Sequence, residues 1–207
     1  MMKNQPSGKG TSIRPRGLQL CLRDQALVDG TVFAADGTHL PTCLGNRKGW
    51  VNLTSVHFRN TGEKLPHIAV QTNRILWAAS PSQEIPLMPV SQGASPRLVE
   101  MQLEGGVVLR GDLMLAQNQR LSDYLGAFGD FIPLRDARQL PSGNVIGDVA
   151  VNREAIERLR EIELDGTTNE VAAGLAADTR IGPADANAAD LAVAGAIAST
   201  DPVAGTI

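Results

Sequence analysis

The 207-residue sequence predicts a mainly β fold in which two small β-barrels stand in tandem as the product of an internal duplication. Three observations lead there. Residues 18–77 and 99–158 align without a gap, at a constant offset of 81 from Leu18 to Val99, and their glycines and apolar residues fall into register. Each copy is made of short alternating apolar and polar runs separated by turn residues. Each also carries a glycine in the middle of its second run, Gly30 or Gly111, where a bulge or sharp bend would help a small barrel curve.

The matched pairs are of the kinds that set turns and cores. Leu22 meets Leu103, Gly30 meets Gly111, Leu40 meets Leu121, and Leu44-Gly45 meets Leu125-Gly126. Further along, Trp50-Val51 stands over Phe131-Ile132, Leu53 over Leu134, Gly62 over Gly143, Ala69-Val70 over Ala150-Val151, and Ile75 over Ile156.

In the second copy residues 98–103 alternate and lead through Glu104-Gly105-Gly106, a hairpin signal, into the strand VVLRGDLML. In the first copy LQLCL and ALVDGTVFA flank a turn at Arg23-Asp24-Gln25. The pattern Leu-x-x-x-Leu-Gly follows in both copies. One helical turn would put its two leucines on one face, as a plug for the open end of a barrel, with Pro41 starting the turn in copy one and Ser122 and Gly126 capping it in copy two. WVNLTSVHF and FIPLRDARQL read as third strands, and Gly62 and Gly143 mark the next turn. HIAVQTNRILWA and DVAVNREAIERL then read as a strand, a turn and a second apolar segment; REAIERLREIEL fits strand or helix.

The expected organisation is a basic flexible arm over 1–16, repeats over 17–78 and 98–164, a Pro/Ser linker over 79–97, and an Ala/Gly-rich tail over 165–207. The apolar IPLMPV of the linker is expected to lie on a barrel surface. The tail reads as disordered, with residues 184–198 able to form a weak helix against a partner.

Composition narrows the function classes. The net charge of -3 gives no basic footprint for DNA or RNA outside the arm residues Lys9, Arg14 and Arg16. With 3% aromatic residues there are few platforms on which bases could stack. Neither a membrane span nor a secretory signal is found, so the cytoplasm is the expected location. Cys21 and Cys43 read as reduced, packed thiols. No phosphate-binding loop motif occurs, and no cofactor or metal is expected, because the three histidines lack metal-ligand spacing.

With EGGVVLRG and VAVNREAI in this order, each copy resembles the Sm-like and SH3-like small β-barrels. QRLSDYL followed by FIPLRDA is similar to bacterial domains of unknown function. In Sm-like proteins the loop after the long strand and the closing-strand turn bind RNA, which implies residues 118–130 and 151–155 as the corresponding loops here.

The polar run QRLSDYLGAFGDFIPLRDA tempts an active-site reading, with Ser122 or Tyr124 as nucleophile, Asp123 as base and Arg120 as oxyanion partner. The histidines that such a nucleophile would need, His39, His57 and His67, all lie in the other copy, so no catalytic residue is assigned. The expected function is non-enzymatic: a protein-binding or assembly subunit of a larger bacterial complex. Arg120, Ser122, Asp123 and Tyr124 are its candidate partner surface, Leu87 and Met88 its linker contacts, and Trp77 an exposed anchor, since its counterpart is Arg158. The alternative is a nucleic-acid-binding regulator using Lys9, Arg14 and Arg16 with Arg110, Arg120, Arg135 and Arg138.

Overall fold

Strict alternation marks the second strand of each half. Along Val108–Ala116 the side chains of Leu109, Leu113 and Leu115 are buried while those between them face outward, and Leu27–Ala35 repeats the pattern. A computed structural model describes residues 12–45 and 49–163. In the first half lie β1 (Ile13–Leu22), β2 (Leu27–Ala35), α1 (Leu40–Gly45), β3 (Trp50–Phe58), β4 (Lys64–Gln71) and β5 (Ile75–Ala79). The second half has β6 (Ala94–Leu103), β7 (Val108–Ala116), α2 (Leu121–Ala127), β8 (Phe131–Leu140), β9 (Asn144–Asn152) and β10 (Ile156–Glu161). A single 3-10 turn, Thr72–Arg74 or Arg153–Ala155, joins the last two strands of each half. Lys9, most of the basic arm and the tail, with residues 184–198, lie outside the described residues. No helix among the described residues is long and apolar enough to cross a membrane.

The two halves match at backbone level. β1, β2, α1, β3 and β5 begin 81 residues before β6, β7, α2, β8 and β10. Leu18 pairs with Gly30 in one hairpin and Val99 with Gly111 in the other. Positive φ angles recur at the same offset: Gln25 and Gly106, Gly37 and Asn118, Ser55 and Asp136, Gly62 and Gly143. Left-handed backbone at non-glycine residues such as Ser55 and Asp136 is uncommon, so the coincidence reflects one backbone path used twice. The ladder between the second and third strands shifts register at Gly30 in one half and at Gly111 in the other.

All ten strands form one antiparallel sheet, in the order β10-β6-β7-β8-β9-β5-β1-β2-β3-β4. The sheet is not closed: β10 and β4 end it, and neither half forms a closed barrel through its strand pairing. The reason is local to β5, which pairs with β1 and, on its other side, with β9 of the second half through Trp77↔Val151, Ala78↔Ala150 and Ala79↔Val149. Within REAIERLREIEL the turn Arg153–Ala155 is followed by strand over Ile156–Glu161, because pairing of β10 with β6 outweighs its helix-forming composition.

The cores are exchanged across this joint. Phe131 and Ala150 of the second half belong to the cluster of Leu44, Val51, Leu53 and Ile75, while Cys21, Leu76 and Trp77 of the first half belong to that of Leu109, Ile132 and Val149. Asn152, nearly fully buried, fastens the joint: its Nδ2 donates to the carbonyls of Thr72 at 3.2 Å and Ile75 at 2.9 Å. The linker is shorter than expected, since β6 begins at Ala94, and it is held down. Ile85 and Leu87 enter the core, and Glu84 Oε2 accepts from the Gly17 N–H at 2.7 Å.

Burial pushes the Cys21 thiol up to about 12, with Asp24 adding to the effect. A folded-state value above the unfolded one, about 8.5, contributes stability that is complete below the unfolded value and is lost as pH rises through the folded one. Stability should therefore decline between roughly pH 9 and pH 12, and the decline should be shallower in a Cys21→Ala variant when followed by urea unfolding. In the native protein neither Cys21 nor Cys43, both buried, should react with a thiol reagent at neutral pH, whereas both should react in denaturant. Rapid native labelling would contradict this burial.

Candidate functional site

The polar run singled out in the sequence forms α2 and its flanks. Arg120, not Ser122, occupies the N-cap position, and its side chain makes no capping hydrogen bond; Gly126 lies inside the helix, which ends at Ala127 with extended Phe128 as its C-cap. The helix is short because β8 begins at Phe131, so about two turns must connect β7 to β8. Arg120, Ser122 and Asp123 are exposed, and Ser122 Oγ lies 3.5 Å from Asp123 Oδ1. Tyr124 turns inward at 6% exposure, and its ring lies 4.7 Å from that of Phe128 in a tilted arrangement. Burial raises the Tyr124 phenol above its usual value, partly opposed by the Met114 backbone and by Arg135. It stays protonated at neutral pH and is unsuited to act as a nucleophile.

Between α2 and the linker lies a recess of about 220 Å³. Met88, Pro89 and Val90 form its linker wall, with Met114, Tyr124, Phe128 and Pro133 opposite. Arg135 braces it: one Nη donates to Asp148 Oδ2 at 3.1 Å and the other to the Met88 carbonyl, so the guanidinium ties β8 to both β9 and the linker. The recess is apolar with one charged border.

Of the residues chosen from sequence, Met88, Tyr124 and Arg135 meet in this recess. Arg120, Ser122 and Asp123 stand on the helix outside it. Two choices are corrected. Trp77 is 2% exposed and cannot be a surface anchor, because it faces the core of the second half; Leu87 is 4% exposed and belongs to the core of the first. The basic arm is corrected in part: Arg14 and Arg16 lie on β1 and converge on Asp36, at 3.6 and 2.6 Å. His39 precedes α1, while His57 and His67 lie on β3 and β4. Among the described residues no group of three or more His, Cys, Asp or Glu side chains is placed to hold a metal ion.

Sequence reasoning missed Met114, Phe128 and Pro133 as walls of the recess. A usable signal was the outward position of Met114 in the alternation of β7, an apolar residue where Asp112 and Arg110 show the face to be polar. It also missed Trp50, which is 46% exposed although its counterpart Phe131 is 2% exposed.

No protein-family model, curated protein or solved structure matches this chain significantly.

Proposed function

We propose that the chain is a non-enzymatic binding subunit of a larger protein assembly, and that the recess beside α2 receives an apolar segment of a protein partner. In this reading each half is a small β-barrel unit of the Sm-like and SH3-like type, opened to share strands with its neighbour. The observation that carries the proposal is the recess itself. At about 220 Å³ it is smaller than the roughly 300–1,000 Å³ usual for small-molecule and cofactor pockets, and suits one or two inserted side chains. Its two methionines make an adaptable apolar wall of the kind that accepts protein segments. The nucleic-acid reading draws less support, because four of the six arginines it relies on are engaged: Arg14 and Arg16 with Asp36, Arg110 with Glu100, Arg135 with Asp148.

Capture from cells that contain the protein tests the proposal, with the full chain as bait. A partner retained by the wild type should be lost at least about tenfold with Met114→Glu, which places a charge in the recess, and retained with Arg14→Ala/Arg16→Ala. Circular dichroism checks that the Met114→Glu chain is folded. Identical capture by both chains would contradict the proposal. So would low-salt RNA or DNA binding that disappears with the two arginines.

A further inference from the structure

We propose that copies of this chain join head to tail, the β10 edge of one pairing with the β4 edge of the next, as β5 and β9 pair within the chain. This rests on the assembly reading above and names a second copy of the chain as a partner.

The sheet order divides into two equivalent halves, β10-β6-β7-β8-β9 and β5-β1-β2-β3-β4. At the offset of 81, β5 corresponds to β10 and β9 to β4. The internal joint therefore uses one strand of each type, and the free ends of the sheet present the other two. Carrying the register Trp77↔Val151, Ala78↔Ala150 and Ala79↔Val149 to the ends predicts Arg158↔Val70, Leu159↔Ala69 and Arg160↔Ile68 between copies. Pro66, whose missing N–H limits pairing, lies outside that three-residue window.

Side chains point the same way. On the β4 side, Trp50 is 46% exposed although Phe131, its equivalent, is buried in the core of the other half; Ala69 is exposed although Ala150 is buried. Gln71, the equivalent of the clamping Asn152, is exposed. On the β10 side, Leu125, Gly126, Ile132, Arg153 and Ile156 line an apolar depression of about 270 Å³. Their counterparts Leu44, Val51 and Ile75 are fully buried in the cluster that contains Phe131. Leu121 and Leu125 of α2 are only half-buried, whereas Leu40 and Leu44 of α1 are covered where that helix packs against β8 and β9. One end thus presents a knob without a hole and the other a hole without a knob.

The joint between copies is weaker than the internal one. Arg158 and Arg160 replace Trp77 and Ala79, and charges on an edge strand restrain unlimited pairing. Three of the four charged side chains of β10 are already engaged along β6: Glu157 with Gln102, Arg160 with Glu100, and Glu161 with Arg97. Only Arg158 remains to be accommodated, opposite Val70, which is already buried at 5% exposure in the single chain, so its stem lies along the joint while its charged head stays in solvent. The contact is heterologous, so repetition closes a ring or extends a filament, and association should be reversible and concentration-dependent.

Sedimentation of the full chain over a dilution series tests this. The wild type should pass from one copy to larger multiples as concentration rises. Trp50→Glu should raise the midpoint at least about tenfold, Trp50→Phe should leave it near the wild type, and Arg158→Trp, restoring the residue of the internal joint, should lower it about tenfold. Mixing Ala69→Cys chains with Leu159→Cys chains under mild oxidation should give a mixed disulfide dimer. Sedimentation as one copy at every concentration overturns the joint. Self-association that ignores Trp50 and yields no 69–159 disulfide does so as well. If the joint fails while Met114-dependent capture of a protein persists, the binding function stands without it; if both fail, both are wrong.

Discussion

Gly111→Ala is expected to lower the unfolding free energy by about 3 kcal/mol, the upper part of the range for forcing atoms into a packed interior. A Cβ at this position would sit 2.5 Å from the Arg135 carbonyl oxygen, 3.0 Å from Leu134 Cγ and 3.2 Å from Ala137 Cα. Two of these are backbone atoms of β8, so relief requires the strand to move. That strand is already bulged between Leu134 and Ala137, with Asp136 at φ 48°. At the equivalent Gly30, all the close atoms belong to the Leu53 side chain, the nearest at 3.1 Å. That nearest atom is the Leu53 Cβ, which no side-chain rotation moves, but the contact asks for a shift of only a few tenths of an ångström and no backbone atom stands in the way, so Gly30→Ala should cost only about 1 kcal/mol. Urea midpoints of the two variants measure the contrast; equal losses would mean that the close strand approach at Gly111 is misplaced.

Phe131→Ala is expected to cost about 3–5 kcal/mol, the usual loss for emptying a buried aromatic site. Phe131 is 2% exposed and lies among side chains of the other half, so the cavity would open in the joint between the halves. Trp50→Ala, at the equivalent position, should change the stability of the dilute chain by less than about 0.5 kcal/mol, because Trp50 is 46% exposed. Two large aromatic residues on the same backbone position thus differ several-fold in effect, and the difference reports which sheet edge is covered. Comparable losses from the two truncations, measured by the same denaturation, would contradict the exchange of core residues across the joint.

The strands were legible because alternation survives wherever one face is buried. VVLRGDLML and ALVDGTVFA could be placed from period two alone, and the mid-strand glycines marked the register shifts. Other features depended on contacts distant in sequence. Trp77 reads as an exposed anchor because its counterpart is Arg158, whereas the pairing of β5 with β9, distant in sequence, buries it. That same pairing keeps the sheet from closing. Leu87 read as a surface contact because its flanking prolines suggest a free linker, whereas Glu84, Ser80 and Arg135 hold that segment down through hydrogen bonds to β1, to the linker backbone and to Met88. Arg14 and Arg16 read as an arm because no acidic residue is near them in sequence; Asp36 arrives through the β1–β2 hairpin, where Ile13 pairs with Ala35. The recess was half legible: Tyr124 and Met88 were chosen, but Met114 and Phe128 converge on them only through the α2 connection.

The claim that the two sheet ends are complementary halves of one joint is tested most directly by amide hydrogen exchange of the full chain, read residue by residue at low and high concentration. Exchange at Ile68–Val70 and Arg158–Arg160 should slow together as concentration rises, while the already paired Trp77–Ala79 and Val149–Val151 are protected throughout. Fast exchange of both edges at every concentration, or protection of one edge without the other, would contradict it.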